Sequence, residues 1–265
     1  MLKQRILTAL WLLPLMLGML FYAPDWLWAA FSGLIALLGL WEYARMSGLD
    51  KLKIHHYLAA GAFFMLVAYT GGWLLPDWVW LAVLAFWLLV MPVWLKKKWV
   101  LAGGWQAYVV GWLLMMPFWF ALVSLRPTPQ AAWSLLAVMG LVWVADICAY
   151  FSGKAFGKHK LAPAISPGKS WEGAIGGAVC VLVYWSLVWQ AGWLAFDAGW
   201  LPTMLIGLVL TVVSVCGDLL ESWLKRAAGI KDSSNLLPGH GGVFDRVDSL
   251  IAVLSVYAAM MVVFG

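Results

Sequence analysis

The chain has 265 residues, of which 65% are apolar and only 11% charged, with 21 Trp and a formal net charge of +5. Soluble globular domains carry roughly 25% charged residues, so these figures exclude that class. They leave a polytopic helical membrane protein, because apolar runs close to the ~20 residues needed to cross a bilayer recur along the whole length, with neither strand alternation nor barrel turns between them.

The first segment, MLKQRILTALWLLPLMLGMLFYAP, has a basic head and an apolar run but no small-residue cleavage site, so it reads as a first membrane helix. Hydropathy then predicts nine spans, at 5–23, 26–46, 56–75, 77–95, 105–125, 131–151, 173–196, 202–224 and 243–264. Only the turn around Leu74–Trp78 divides the third from the fourth, and the orientation of everything beyond depends on it. With the N-terminus inside, all of the 17 Lys and Arg except Arg126 fall on the inner face, while Asp25, Asp77 and Asp197 take outer turns. The positive-inside rule requires this asymmetry, and eight spans would scatter the basic loops over both faces. It accounts for the basic balance without a nucleic-acid partner. The Trp residues gather near span ends, as in PDWLW and PDWVW, and read as interfacial anchors. Cys148, Cys180 and Cys216 have no metal-like spacing and read as small core residues. Residues 1–130 form an N-terminal set of transmembrane helices in this reading. Residues 131–265 form a second transmembrane region with two long inner loops, 152–172 and 225–242.

Four acids, Asp146, Asp218, Asp245 and Asp248, lie within predicted spans six, eight and nine or at their ends. An acid at mid-bilayer costs on the order of 2.5–3.5 kcal/mol on insertion scales, so such residues are paired or functional. Spans six and eight run inward and span nine outward, which puts all four at similar depth beside the basic loops. Asp218, Glu221, Ser222 and Lys225 share one helix face, and Asp245, Asp248 and Ser249 share another. Two acidic faces meeting at one depth make an all-oxygen site suited to Mg²⁺. The alternative is ion pairing within the membrane, Asp218 with Lys225 and Asp245 with Arg246. Lys225, Arg226, Lys231 and Arg246 crowd the acids, and acids with bases at a membrane surface suit a phosphate substrate with a metal. Lys154, Lys158, Lys160 and Lys169 serve as well to orient the chain or hold anionic lipid. SPGKS (Ser166–Ser170) resembles the end of a phosphate-binding P-loop, but position 163 is Pro where that motif needs Gly and no strand is expected before it. LLPGHGG (Leu236–Gly242) sets three glycines around His240, a backbone free to approach a ligand and offer N–H groups to an anion.

The stretch SWLKRAAGIKDSSNLLPGHGGVFDRVD, Ser222–Asp248, resembles position for position the motif of phosphatidate cytidylyltransferases, the CDP-diacylglycerol synthases. The shared positions are Ser222, Lys225, Arg226, Lys231, Asp232, Pro238, His240, Gly241, Gly242, Asp245, Arg246 and Asp248. GDLLES and DICAYFSGKAFGKHKLAPAISPGKSWEG upstream also resemble that family. The resemblance implies an all-α polytopic enzyme of the bacterial inner membrane, its site on the cytoplasmic side, the chain forming a homodimer. It implies synthesis of CDP-diacylglycerol and pyrophosphate from CTP and phosphatidate with Mg²⁺. On this reading 131–265 is the catalytic region. Asp218, Asp245 and Asp248 hold the metal, and Lys225, Arg226, Lys231, His240 and Arg246 act on the reacting phosphates. Lys169, Ser222, Gly241 and Gly242 bind substrate, while Asp146 and Glu172 are left without an assigned role.

Two other classes stay open on the residues alone. A CTP-dependent kinase of a lipid alcohol needs the same metal and nucleotide but releases CDP rather than pyrophosphate. A proton- or cation-coupled transporter needs ionisable groups near the midplane on two related halves, and neither is visible here. Enzymes that consume CDP-diacylglycerol carry an Asp-Gly-x-x-Ala-Arg motif that this chain lacks.

Overall fold

The computed structural model describes residues 2–101, 103–194, 196 and 198–264; Asp197 and the side chains of Lys3 and Arg5 lie outside the described residues. The described residues form nine helical rods, as a backbone away from water must when it satisfies its own N–H and C=O groups. In chain order they are α1 (Leu2–Tyr22), α2 (Asp25–Met46), α3 (Lys51–Thr70), a rod made of α4 (Asp77–Ala85) and α5 (Met91–Lys97), α6 (Trp105–Leu125), α7 (Ala132–Phe156), α8 (Trp171–Gln190), α9 (Trp200–Ala227) and α10 (Phe244–Phe264). Among the described residues, seven rods are long and apolar enough to cross a membrane; α1 and α3 are not among them. Lys51, Lys53, His55 and His56 in the first two turns of α3 dilute its hydropathy.

The break between the third and fourth rods falls where expected, with Gly72 at φ +64° and Pro76 capping α4. A widened π turn, Phe86–Val90, joins α4 to α5. Pro92 lies just beyond it; it lacks an N–H and its ring crowds the carbonyl one turn back, which the wider turn accommodates. The expected inner loop 152–172 is shorter than its sequence suggests. α7 runs on to Phe156, and Lys160–Ala162 (β1) pairs antiparallel with Ser166–Ser170 (β2). SPGKS is thus itself a strand, leading straight into α8, where Ser170 caps Gly173 N at 3.2 Å.

Helix α10 is the axis of the bundle. Every residue from Ile251 to Ala259 is buried, the signature of a helix apolar on all sides and packed on all sides. It contacts α9, α6, α4, α7 and α2, helices from both halves of the chain. The α7–α8 pair is the tightest seam. A Cβ on Gly173 would lie 2.7 Å from Ala149 O, and one on Gly177 would lie 2.9 Å from Ala145 O. Small residues every fourth position allow such close approach.

Tryptophans do more than anchor. Trp28, Trp87 and Trp185 are fully buried, and the Trp28 and Trp119 indoles stitch α2 to α6 through Leu122 O (2.9 Å) and Ala29 O (3.1 Å). All three cysteines are free and half-buried.

The loops carrying the polar motifs meet at one end of the bundle. Trp223 Nε1 donates to Trp99 O at 2.7 Å, and Thr8 Oγ1 donates to Pro238 O at 2.9 Å. At the opposite end, the buried Arg126 donates to Leu20 O (3.0 Å) and Ala23 O (2.5 Å) and pairs with Asp25 at 3.3 Å.

Candidate active site

A cavity of about 630 Å³ opens between α7, α8, α9, the start of α10 and the hairpin. Five of its acids come from three helices, Asp146 on α7, Asp218 and Glu221 on α9, Asp245 and Asp248 on α10, and Asp232 joins them from the loop between α9 and α10. Gly217 brings two of these helices together. A Cβ there would lie 2.9 Å from Asp248 O and 2.9 Å from Ala252 Cβ, so only glycine lets α9 approach α10 this closely beside Asp218. Ser249 Oγ reinforces the contact by donating to Ser214 O at 3.1 Å, and so faces α9 rather than the cavity.

The carboxylates of Asp218, Glu221 and Asp248 each offer an oxygen within 4.8 Å of the others. This is a hard, all-oxygen donor set of the kind that suits Mg²⁺. Asp245 lines the same cavity but its oxygens are engaged otherwise. Oδ1 lies 2.7 Å from Lys225 Nζ; Oδ2 accepts from Ser233 N (2.9 Å) and Gly242 N (2.7 Å) and lies 2.9 Å from Ser233 Oγ.

The cations are held by acids, in pairs other than the two that sequence neighbours suggest. Lys169 Nζ, from β2, lies 2.5 Å from Asp218 Oδ2, and Lys225 Nζ bridges Glu221 (2.6 Å) and Asp245 (2.7 Å). Helical spacing brings Lys225 back to Glu221 one turn earlier, while the approach of α10 supplies Asp245. Arg246 projects into the cavity mouth, exposed, with no ion-pair partner among the described residues. Ser222 also lines the cavity and donates to Asp218 Oδ1 at 3.3 Å.

Of the other residues singled out from the sequence, Lys154 and Asp232 line the cavity, while Arg226, Lys231, His240, Gly241, Gly242 and Glu172 lie around it. Arg226 and Lys231 are exposed on the adjoining turn. His240 is half-buried in the loop, its Nδ1 without a hydrogen-bond partner among the described residues. Gly241, at φ +82°, and Gly242 wrap the Asp245 carboxylate: a Cβ on Gly241 would lie 2.6 Å from Asp245 Oδ2. Glu172 turns away to hold the hairpin, accepting from Lys158 N (3.1 Å), His159 N (3.2 Å) and His159 Nδ1 (2.6 Å). Asp146 does line the cavity.

One residue of the network escaped the sequence reading. Glu42 of α2 is fully buried and accepts from Ser234 Oγ, Ser233 Oγ, Val243 N and Phe244 N. Its signal was available: an acid inside a predicted span, near the same end as the other four. It lies some 190 residues from its partners, and no periodicity links the two.

Comparison with known proteins places the arrangement. The model of the cytidylyltransferase family matches residues 3–264. The phosphatidate cytidylyltransferase of Pseudomonas aeruginosa is 45% identical over 268 residues, covering 98% of this chain and 97% of that protein. The phosphatidate cytidylyltransferase of Haemophilus influenzae is 36% identical over 281 residues, covering 97% and 98%. That of Staphylococcus haemolyticus is 40% identical over 122 residues, 46% of each chain. With its acids and bases gathered in one cavity and the match running almost end to end, this multi-pass membrane chain belongs to the cytidylyltransferase family.

Proposed function

We propose that this chain transfers the cytidylyl group of CTP to phosphatidate, releasing pyrophosphate and forming CDP-diacylglycerol. The observation that carries the reading is the cavity, where three carboxylates within 4.8 Å of one another face Lys169, Lys225 and Arg246 at one end of a membrane bundle. Such a place suits the meeting of a lipid phosphate with a soluble nucleotide. The name shared by relatives along their full length supports the same reaction.

The phosphatidate phosphate is already an anionic nucleophile. One of its oxygens forms a bond to the α-phosphorus of CTP while the bond from that phosphorus to the bridging oxygen breaks, and the electron pair leaves with pyrophosphate. Little general-base work is needed, so positioning and charge neutralisation carry the catalysis. Arg246, with no ion-pair partner among the described residues, is available to grip a phosphate bidentately. Lys169 and Lys225 lie deeper and meet phosphoryl oxygens beside the acids. Asp218, Glu221 and Asp248 are the residues that would hold Mg²⁺, and Asp245 positions Lys225 beside them. Bound there, Mg²⁺ supplies positive charge against the phosphoryl oxygens. The bacterial inner membrane, a cytoplasmic cavity mouth and a homodimer belong to the same reading.

Purified protein in detergent, given phosphatidate, labelled CTP and Mg²⁺, should yield labelled CDP-diacylglycerol and pyrophosphate. EDTA should abolish the reaction and added Mg²⁺ restore it. Labelled CDP with a phosphorylated lipid would instead identify a kinase, and full turnover after rigorous chelation would remove the metal from the reading.

A further inference from the structure

The chemistry above makes no use of Glu42, yet its buried carboxylate collects four donors. Each oxygen takes one backbone N–H and one serine hydroxyl. Oε1 accepts from Val243 N (3.0 Å) and Ser234 Oγ (2.5 Å); Oε2 accepts from Phe244 N (2.5 Å) and Ser233 Oγ (3.0 Å). Val243 immediately precedes α10 and Phe244 opens it, and the first N–H groups of a helix lack intrahelical partners and favour an anion. The cap therefore comes from α2, a different rod. Ser233 Oγ also lies 2.9 Å from Asp245 Oδ2, so the network runs on through Asp245 to Lys225 and Glu221. Asp245 and Asp248 sit in the first two turns of α10. A shift in where that helix starts moves both carboxylates against Asp218 and Glu221 on α9.

We propose that Glu42 is a positioning residue for cytidylyl transfer. Carried by α2, it fixes the loop 233–243 and the start of α10, and so sets the register of Asp245 and Asp248 against the acids of α9. The proposal rests on the cytidylyl-transfer reading of the cavity.

Glu42→Gln tests it. Both carboxylate oxygens face a backbone N–H, so either orientation of the amide sets its NH₂ against one of them, and no flip relieves the conflict. In parent and variant, amide hydrogen exchange is followed by residue and turnover is measured with CTP and phosphatidate varied. Exchange should accelerate at least tenfold over 242–246 and stay unchanged in α6 and the body of α9. The kcat should fall by about 100-fold while both KM values move by no more than about threefold, the pattern of a misplaced reacting geometry. Unchanged exchange overturns the proposal, as does unchanged kcat, or a raised KM with kcat intact. If Glu42→Gln fails to insert, Ser234→Ala removes one donor and leaves the carboxylate. It should raise exchange at Val243 and lower kcat several-fold, and parental values for either refute the proposal. Should the parent make no CDP-diacylglycerol, the reaction reading falls and the catalytic role of Glu42 with it. The exchange comparison then separately decides whether Glu42 fixes the start of α10.

Discussion

Lys225 is the residue on which the two acidic helix faces converge. Its ammonium lies 2.6 Å from Glu221 and 2.7 Å from Asp245, and those side chains are 3% and 4% exposed. The two acids are not equivalent losses. In Asp245→Asn the cation keeps Glu221, the amide oxygen can still accept from Ser233 N and Gly242 N, and the cost is the one lost bond to Lys225, about 1–3 kcal/mol. In Lys225→Met two buried carboxylates lose their shared cation, and breaking a buried pair costs roughly 3–5 kcal/mol. Lys225→Met should therefore lower the thermal midpoint in detergent further than Asp245→Asn, and both should lose most turnover. A larger stability loss in Asp245→Asn would mean that Asp245, not Lys225, is the hub. The sequence made the faces legible, because i, i+3, i+4 spacing is local. It did not give the pairing: the pairs that sequence neighbours suggest lie within seven residues of each other, while Lys225 joins Asp245 at a separation of 20 residues with a loop between.

At the scale of elements, the site depends on how closely helices pass. Gly217→Ala gains about 1 kcal/mol of helix propensity. Against this, its Cβ would sit 2.9 Å from the Asp248 carbonyl oxygen. Backbone cannot swing aside as a flexible side chain does, and overpacking costs typically 1–3 kcal/mol. The expected outcome is a protein somewhat less stable and much less active, since α9 is levered from α10 between Asp218 and Asp248. Gly18→Ala, where a Cβ meets nothing within 4 Å, is the control and should be neutral or slightly stabilising. Equal effects from both would discard the close-approach account. The rods themselves were legible, because hydropathy reports the need to satisfy the backbone in lipid. The hairpin was not. Its strands have three and five residues, Pro163 and Pro167 interrupt the stretch, and no apolar alternation marks it. A two-stranded ribbon leaves one side of each strand unpaired, which is where proline is tolerated; Glu172 at its base holds the start of the hairpin.

For the whole molecule, orientation in the membrane turns on whether α3 crosses. Lys and Arg described with side chains gather at the loop end of the bundle, and Arg126 alone among them lies at the other. Arg126 is no orienting charge. It is 1% exposed and bonded to Leu20 O in the last turn of α1 and to Ala23 O just past it, as a cation near a helix C-terminus should be. The basic asymmetry is thus complete once that residue is set aside, and on the positive-inside rule we propose that the cavity mouth faces the cytoplasm. The weak element is α3, whose first turns carry Lys51, Lys53, His55 and His56. At about 1.5 Å per residue its 20 residues rise roughly 30 Å, enough to cross. If it lay along the surface instead, every rod beyond it would invert and the cavity would face outward. A reporter inserted at the exposed turn of Gly72 should therefore read as periplasmic, and one inserted between Trp99 and Gly104 as cytoplasmic. Both on the same side would mean that the α4–α5 rod does not cross. The reverse assignment would put the basic end outside, and a nucleotide made in the cytoplasm would not reach Lys169, Lys225 and Arg246.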